Sequence, residues 1–198
     1  MKPDAIDRPV LTFPQAVSDW VRTHYEAASV ILEYGTGGST IMASEMPNKK
    51  VFSVESDKNW CAKIQAYLDA SSPASPVVLY HANIGKTEKW GSPVEGGAWR
   101  RFHRYPNSVW DLPEFEAPDL VLVDGRFRAA CLITTWLRTE KPVTVLFDDY
   151  VDRKQYAKVE RWIKPVECCD RMARFELEPT DFPRRDMTDI LAFYTKPF

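Results

Sequence analysis

The chain has 198 residues, 44% of them hydrophobic, enough to bury a sizeable core and most simply one domain. With 26 Lys and Arg against 28 Asp and Glu, the formal charge of −2 argues against nucleic acid as the primary partner. The longest apolar runs fall far short of a bilayer span and no charged-then-apolar leader opens the sequence. The four cysteines form no C-x-x-C pair, so a cytoplasmic protein with buried thiols and no membrane partner is expected.

In chain order, helices alternate with strands. Residues 12–26 place Phe13, Val17, Trp20, Val21 and Tyr25 at helical spacing, with Pro14 near the start. A first strand is expected over 29–34, and its helix over 39–46 stops at Pro47 and Asn48. The second strand is 51–55, and Ser56 or Asp57 caps a helix over 57–70. A third strand occupies 76–82. After a long connection come a buried fourth strand (118–125), a helix (126–138), a fifth strand (143–149) and a helix (152–163). In the tail, 171–179 and 187–196 alternate apolar with polar and read as two closing strands. This order implies a parallel sheet with right-handed crossovers and helices on both faces. Ligands of such sheets bind beyond the carboxyl ends of the strands.

The chemistry begins at the first of those ends. Val30, Ile31 and Leu32 lead to Glu33, then to the turn Gly35-Thr36-Gly37-Gly38 and a small-residue helix start, Ser39-Thr40. Gly35 and Gly37 let the backbone bend and approach a ligand, and the helix that follows directs N–H groups at an anion. Glu55 closes the second strand about 20 residues past the turn, where an acid can hold both hydroxyls of a ribose. A dinucleotide fingerprint would carry glycine where Thr40 stands.

The pattern E-Y-G-T-G-G-S-T, with Glu55 behind it, resembles motif I of class I S-adenosylmethionine (SAM)-dependent methyltransferases. The resemblance covers roughly residues 28–150. It implies a Rossmann-like, seven-stranded, mostly parallel α/β sheet of order 3-2-1-4-5-7-6, closed by an antiparallel pair. It also implies that Gly35 and Gly37 cradle the methionyl portion, with Glu33 near its ammonium group, and that Glu55 takes the ribose. Asn83 and Ile84 match the adenine-contacting positions, although the family often has an acid in place of Asn83. Asp124, ending V-L-V-D-G, matches the position facing the methionyl group and the substrate. Asp124 is therefore the first candidate for a base and His103 the second, while D-G-R-F after strand four favours an oxygen acceptor over a nitrogen one.

Two segments go beyond the generic pattern. Residues 85–117 are long for a connection and rich in aromatic rings, so they read either as a lid over the pocket or as a packed excursion. If strands four and five are neighbours, Asp124, Asp148 and Asp149 share one rim and could hold a divalent cation. Arg126 and Arg128 follow at once, and ion pairing with these acids ranks ahead of binding an anionic substrate such as a sulfated, phosphorylated or uronic sugar. The expected function is methyl transfer to a small-molecule or carbohydrate acceptor. A non-catalytic SAM-fold binding protein stays open, as does a nucleotide-linked oxidoreductase or epimerase.

Overall fold

Alternation along the central strands decides how the layers form. In the computed structural model, which describes residues 7–94 and 98–197, seven strands make one sheet. They are β1 (Val30–Tyr34), β2 (Lys50–Glu55), β3 (Val77–His81), β4 (Leu120–Val123), β5 (Val143–Phe147), β6 (Glu167–Cys169) and β7 (Met172–Leu177). Their order is 3-2-1-4-5-7-6, parallel through β5, with β7 antiparallel to both β5 and β6. Ile31, Leu120, Leu122 and Leu146 turn to one face and pack with Val17, Val21 and Tyr25 of α1 (Gln15–Ala27) and Met42 and Ala43 of α2 (Gly38–Glu45). Leu32, Val121, Val123, Val145 and Phe147 turn to the other, against Ala130, Leu132 and Ile133 of α5 (Arg128–Arg138). The period of two along each strand thus fills two apolar layers. The helix α3 (Lys58–Ser71) opens on Asp57, whose Oδ1 accepts from the N–H groups of Asn59 (2.8 Å) and Trp60 (3.0 Å).

The tail departs from expectation. Only 171–179 yields the strand foreseen, β7; its partner is β6, joined through a tight turn at Asp170, whose φ is +53°. Residues 187–196 are not a strand: Met187–Phe193 is the helix α6. Ile190, Phe193 and Tyr194, spaced i, i+3 and i+4, pack against the α5 layer, so helical burial overrides the local alternation. Residues Lys154–Arg161 wind as a 3-10 helix in place of the α-helix expected over 152–163.

The insertion divides in two, with residues 95–97 outside the described residues. Thr87 bridges Pro93, and Val94 N–H donates to Lys86 O at 3.0 Å, which folds 86–94 into a hairpin-like arm. Residues 98–117, including α4 (Arg104–Asn107), lay Phe102, Tyr105, Val109 and Trp110 on the sheet as part of the second layer. Tyr34, at the end of β1, ties this layer down. Its hydroxyl donates to Pro106 O (2.6 Å) and accepts from Trp110 Nε1 (2.7 Å), all buried. Tyr34→Phe would leave both partners unsatisfied, and equilibrium urea unfolding should show a loss of about 1–3 kcal/mol. A loss below about 0.5 kcal/mol would mean that the layer is held by its apolar contacts alone.

Candidate functional site

Glu33 is enclosed completely, which its sequence position did not foretell. Its Oε1 accepts from Tyr25 Oη (2.6 Å) and its Oε2 from Thr40 Oγ1. Thr40 Oγ1 in turn accepts from Gly37 N–H at 3.0 Å, and Ser53 Oγ lies 3.2 Å from it and 2.8 Å from Thr36 Oγ1. Burial pushes the Glu33 carboxyl upward, opposed by the Thr40 and Tyr25 hydroxyls. The acid at the end of β1 therefore anchors the glycine turn from beneath and does not line the cavity above it. The same geometry explains Thr40, whose hydroxyl joins Glu33 to the turn.

The turn itself is shaped by close approaches. Gly35 has φ +111°, and a Cβ there would lie 2.8 Å from Gly125 N, so the turn after β1 and the turn after β4 touch through backbone. A Cβ on Gly38 would lie 2.2 Å from the carbonyl carbon of Val10, because residues 9–13 cross over the start of α2 as a strap. Gly37, by contrast, faces open space.

That space is a cavity of about 520 Å³, within the range of small-molecule and cofactor sites. Its walls include the Gly35–Ser39 turn, Glu55, Trp60, Asp124, Gly125 and Arg126, with the strap on one side and Lys89, Trp90 and Gly91 of the arm on another. Glu55 Oε1 accepts the N–H groups of Ser56 (2.6 Å) and Asp57 (2.8 Å), so the carboxyl is fixed at the end of β2. Burial pushes it upward and these N–H groups oppose the shift. Gly91 lies over it: Ser56 Oγ donates to Gly91 O at 2.8 Å. The strap and Trp60 were missed by sequence reasoning, while the arm belongs to the 85–117 segment read as a lid or a packed excursion. The aromatic density of that segment pointed toward it.

Three other expected residues do not reach the cavity. Asn83 is exposed, its Oδ1 accepting from Gly85 N–H at 3.1 Å, and Ile84 is buried in the second apolar layer. His103 is exposed outside the cavity, because residues 98–117 turn their apolar side chains to the sheet and their polar ones to solvent.

The acids after β4 and β5 do come together, but with arginines. Arg128, only 4% exposed, lies 3.2 Å from Asp124 Oδ1, 3.0 Å from Asp149 Oδ2 and 3.7 Å from Asp148 Oδ2. Arg171 grips Asp148 with two bonds of 2.8 and 2.9 Å, and Arg153 pairs with Asp149 at 2.6 Å. Three guanidinium groups stand where a divalent ion would need free carboxylate oxygens, so these residues do not fit a metal. Among the described residues no cluster of acids, His or Cys suits one. Asp124 keeps 29% of its side-chain surface open toward the cavity. Burial, together with Asp148 and Asp149, outweighs Arg128 and pushes its carboxyl up to about 8.

No family model matches the sequence, and no curated protein matches it. Among solved structures, a methyltransferase-like protein from Silicibacter pomeroyi is 42% identical, with a TM-score of 0.93 over 96% of this chain and 99% of that one. The O-methyltransferase TomG of Streptomyces achromogenes, solved with SAM, is 14% identical (TM-score 0.56; 86% of this chain, 82% of that one). An O-methyltransferase from Bacillus cereus, solved with S-adenosylhomocysteine, is 11% identical (TM-score 0.52; 85% and 82%). These last two share the fold.

The Glu33 network makes one prediction. Thr40→Ala removes the acceptor of Gly37 N–H and one partner of Glu33, and should lower the unfolding free energy by about 1–3 kcal/mol in urea titrations. An unchanged midpoint would show that the turn does not need its buried support.

Proposed function

The chain belongs to the methyltransferase-like family of the class I SAM-dependent fold, and we propose that it transfers a methyl group from SAM to a small-molecule acceptor, at oxygen, with carbohydrates the first class to test. The observation that carries this reading is a single cavity whose wall joins the glycine turn, Glu55 and Asp124. When bound, SAM supplies a methyl carbon already made electrophilic by the sulfonium. What remains for the protein is to align the acceptor, exclude water and handle one proton.

The residues present fit that division. Gly37 offers backbone to a ligand with nothing in the way, at the start of α2, where unpaired N–H groups favour a carboxylate. Glu55, held through Oε1, keeps Oε2 for the ribose hydroxyls. The strap, Trp60 and the arm narrow the opening and shed water. Asp124 faces the same cavity and takes the proton of the acceptor hydroxyl, steadied by Arg128.

Thermal unfolding tests the cofactor assignment. At 100 times its dissociation constant, S-adenosylhomocysteine should stabilise the protein by about 2.7 kcal/mol, a rise of roughly 5–10 °C. Glu55→Gln retains an oxygen for the Ser56 and Asp57 amides, so it should keep its unliganded Tm while losing most of that rise. A rise with NAD instead, or an equal rise in the variant, would overturn the assignment.

Asp124 supplies a pH test with a definite sign. A base with a pKa of about 8 is mostly protonated at pH 7, so transfer should accelerate as pH rises through 8 and then level off. Asp124→Asn should remove that ascending limb and lower the rate about 100-fold or more. Stability offers the same test without an acceptor. With the folded value raised, this carboxyl's stabilising contribution is complete below its ordinary value and lost as pH rises through about 8. The decline in stability between pH 4 and 8 should therefore be shallower in Asp124→Asn. Identical slopes would place the carboxyl in its ordinary range.

A further inference from the structure

The two arginines after β4 look equivalent in V-D-G-R-F-R, yet the fold gives them opposite situations. Arg128 turns inward and lies against three aspartates. Arg126 turns to the cavity and pairs with no carboxylate among the described residues. Its Nη1 reaches Ser92 Oγ at 3.4 Å, at the far edge of a hydrogen bond. Its Nε is buried without a partner, the one such side-chain nitrogen or oxygen among the described residues. Guanidinium keeps its charge at any physiological pH, and a half-enclosed cation with an unsatisfied donor is costly until an anion arrives.

Resting on the function proposed above, we infer that Arg126 is the specificity residue of the acceptor site and that the acceptor carries an anionic oxygen group: a carboxylate, sulfate or phosphate. Its place in the fold argues for this. Gly125 and Gly35 are in backbone contact, so Arg126 begins beside the cofactor turn. Its side chain reaches Ser92 on the arm, while its own N–H approaches Tyr105 Oη at 3.4 Å. Burial, with Arg128 and then Arg153 nearby, lowers its proton affinity, and the same surroundings favour a negative partner. Asp124, two residues back, lines the same wall, so an acceptor anchored at Arg126 would place a neighbouring hydroxyl within reach of the proposed base. The planar fork suits a carboxylate or phosphate through two parallel bonds.

The competing source of an anion is the methionyl carboxylate of the cofactor, and the test separates the two. Wild type, Arg126→Gln and Arg126→Lys would be titrated calorimetrically with S-adenosylhomocysteine and with 5′-methylthioadenosine, which lacks that carboxylate. Each protein, saturated with S-adenosylhomocysteine, would then be titrated with glucuronate, glucose 6-phosphate and 4-hydroxybenzoate, each against its neutral counterpart, glucose or 4-hydroxybenzamide. At least one anion should bind wild type ten-fold or more tighter than its counterpart. Arg126→Gln should erase the preference and Arg126→Lys retain part of it, while both variants bind S-adenosylhomocysteine like wild type. No anion preference in wild type would overturn the inference, as would a preference that survives Arg126→Gln. Weaker S-adenosylhomocysteine with unchanged 5′-methylthioadenosine would assign Arg126 to the cofactor carboxylate, and equal weakening of both to the nucleoside. Absence of S-adenosylhomocysteine binding by wild type would overturn the methyl-transfer reading instead, and the anion preference of the unsaturated protein would still show whether Arg126 binds anions.

Discussion

A carboxyl group sealed from water fixes the geometry on which the site depends. Glu33 is buried at the end of a central strand, where an unpartnered acid would be strongly destabilising, and hydroxyls from α1 and α2 close around it. One of those hydroxyls, Thr40 Oγ1, also takes Gly37 N–H. The turn is thereby hung from the sheet by a chain of polar contacts whose members come from β1, β2 and both helices of that face. A satisfied buried network of this kind specifies one arrangement, because every alternative leaves a polar group unpaired. The open face of Gly37 follows from it.

The second constraint is electrostatic. Asp124, Asp148 and Asp149 converge because β4 and β5 are adjacent and parallel, and three like charges at one rim require compensation. Arg128 supplies it from below, and Arg153 and Arg171 from the side. The arrangement explains why acids at strand ends, which in sequence suggest a metal, are here a scaffold. It also explains why Asp124 differs from the other two. It alone of the three lines the cavity, and burial, reinforced by Asp148 and Asp149, raises its proton affinity toward the range where a base works.

How far the residues foretold this depends on the range of the interaction. The parallel core, the turn at Gly35 and the cap at Asp57 are set by contacts close in sequence or by simple alternation, and they were legible, whereas the strand order was implied by the family resemblance alone. The tail was not. Its alternation mimicked a strand, while the i, i+3, i+4 spacing of Ile190, Phe193 and Tyr194 acquires meaning only with α5 beside it. His103 and Asn83 misled for a related reason: their residue types suit a site, but which way a connecting segment turns is decided by its apolar neighbours. Phe102, Tyr105 and Trp110 take the sheet, so His103 takes the solvent. The role of Glu33 was hidden because sequence marks an acid at a strand end without showing whether a cavity or a helix covers it.

The cavity joins two kinds of wall. One comes from the part of the chain that carries the sequence resemblance: the turn after β1, Glu55 and Asp124, held by strand ends and a buried network that leave little freedom. The other is made by the strap at 9–13, the arm at 89–91 and Arg126. The first wall supplies groups suited to a nucleoside and an amino acid, together with Asp124, the proposed base. Under the proposed function, selection among acceptors then falls to the second wall. There, Arg126 pairs with no carboxylate among the described residues, although Asp124 and Arg128 beside it in sequence belong to a set of three acids and three arginines that pair with one another. A cation spared from so dense a set of ion pairs is better accounted for by an anionic ligand than by the stability of the empty protein.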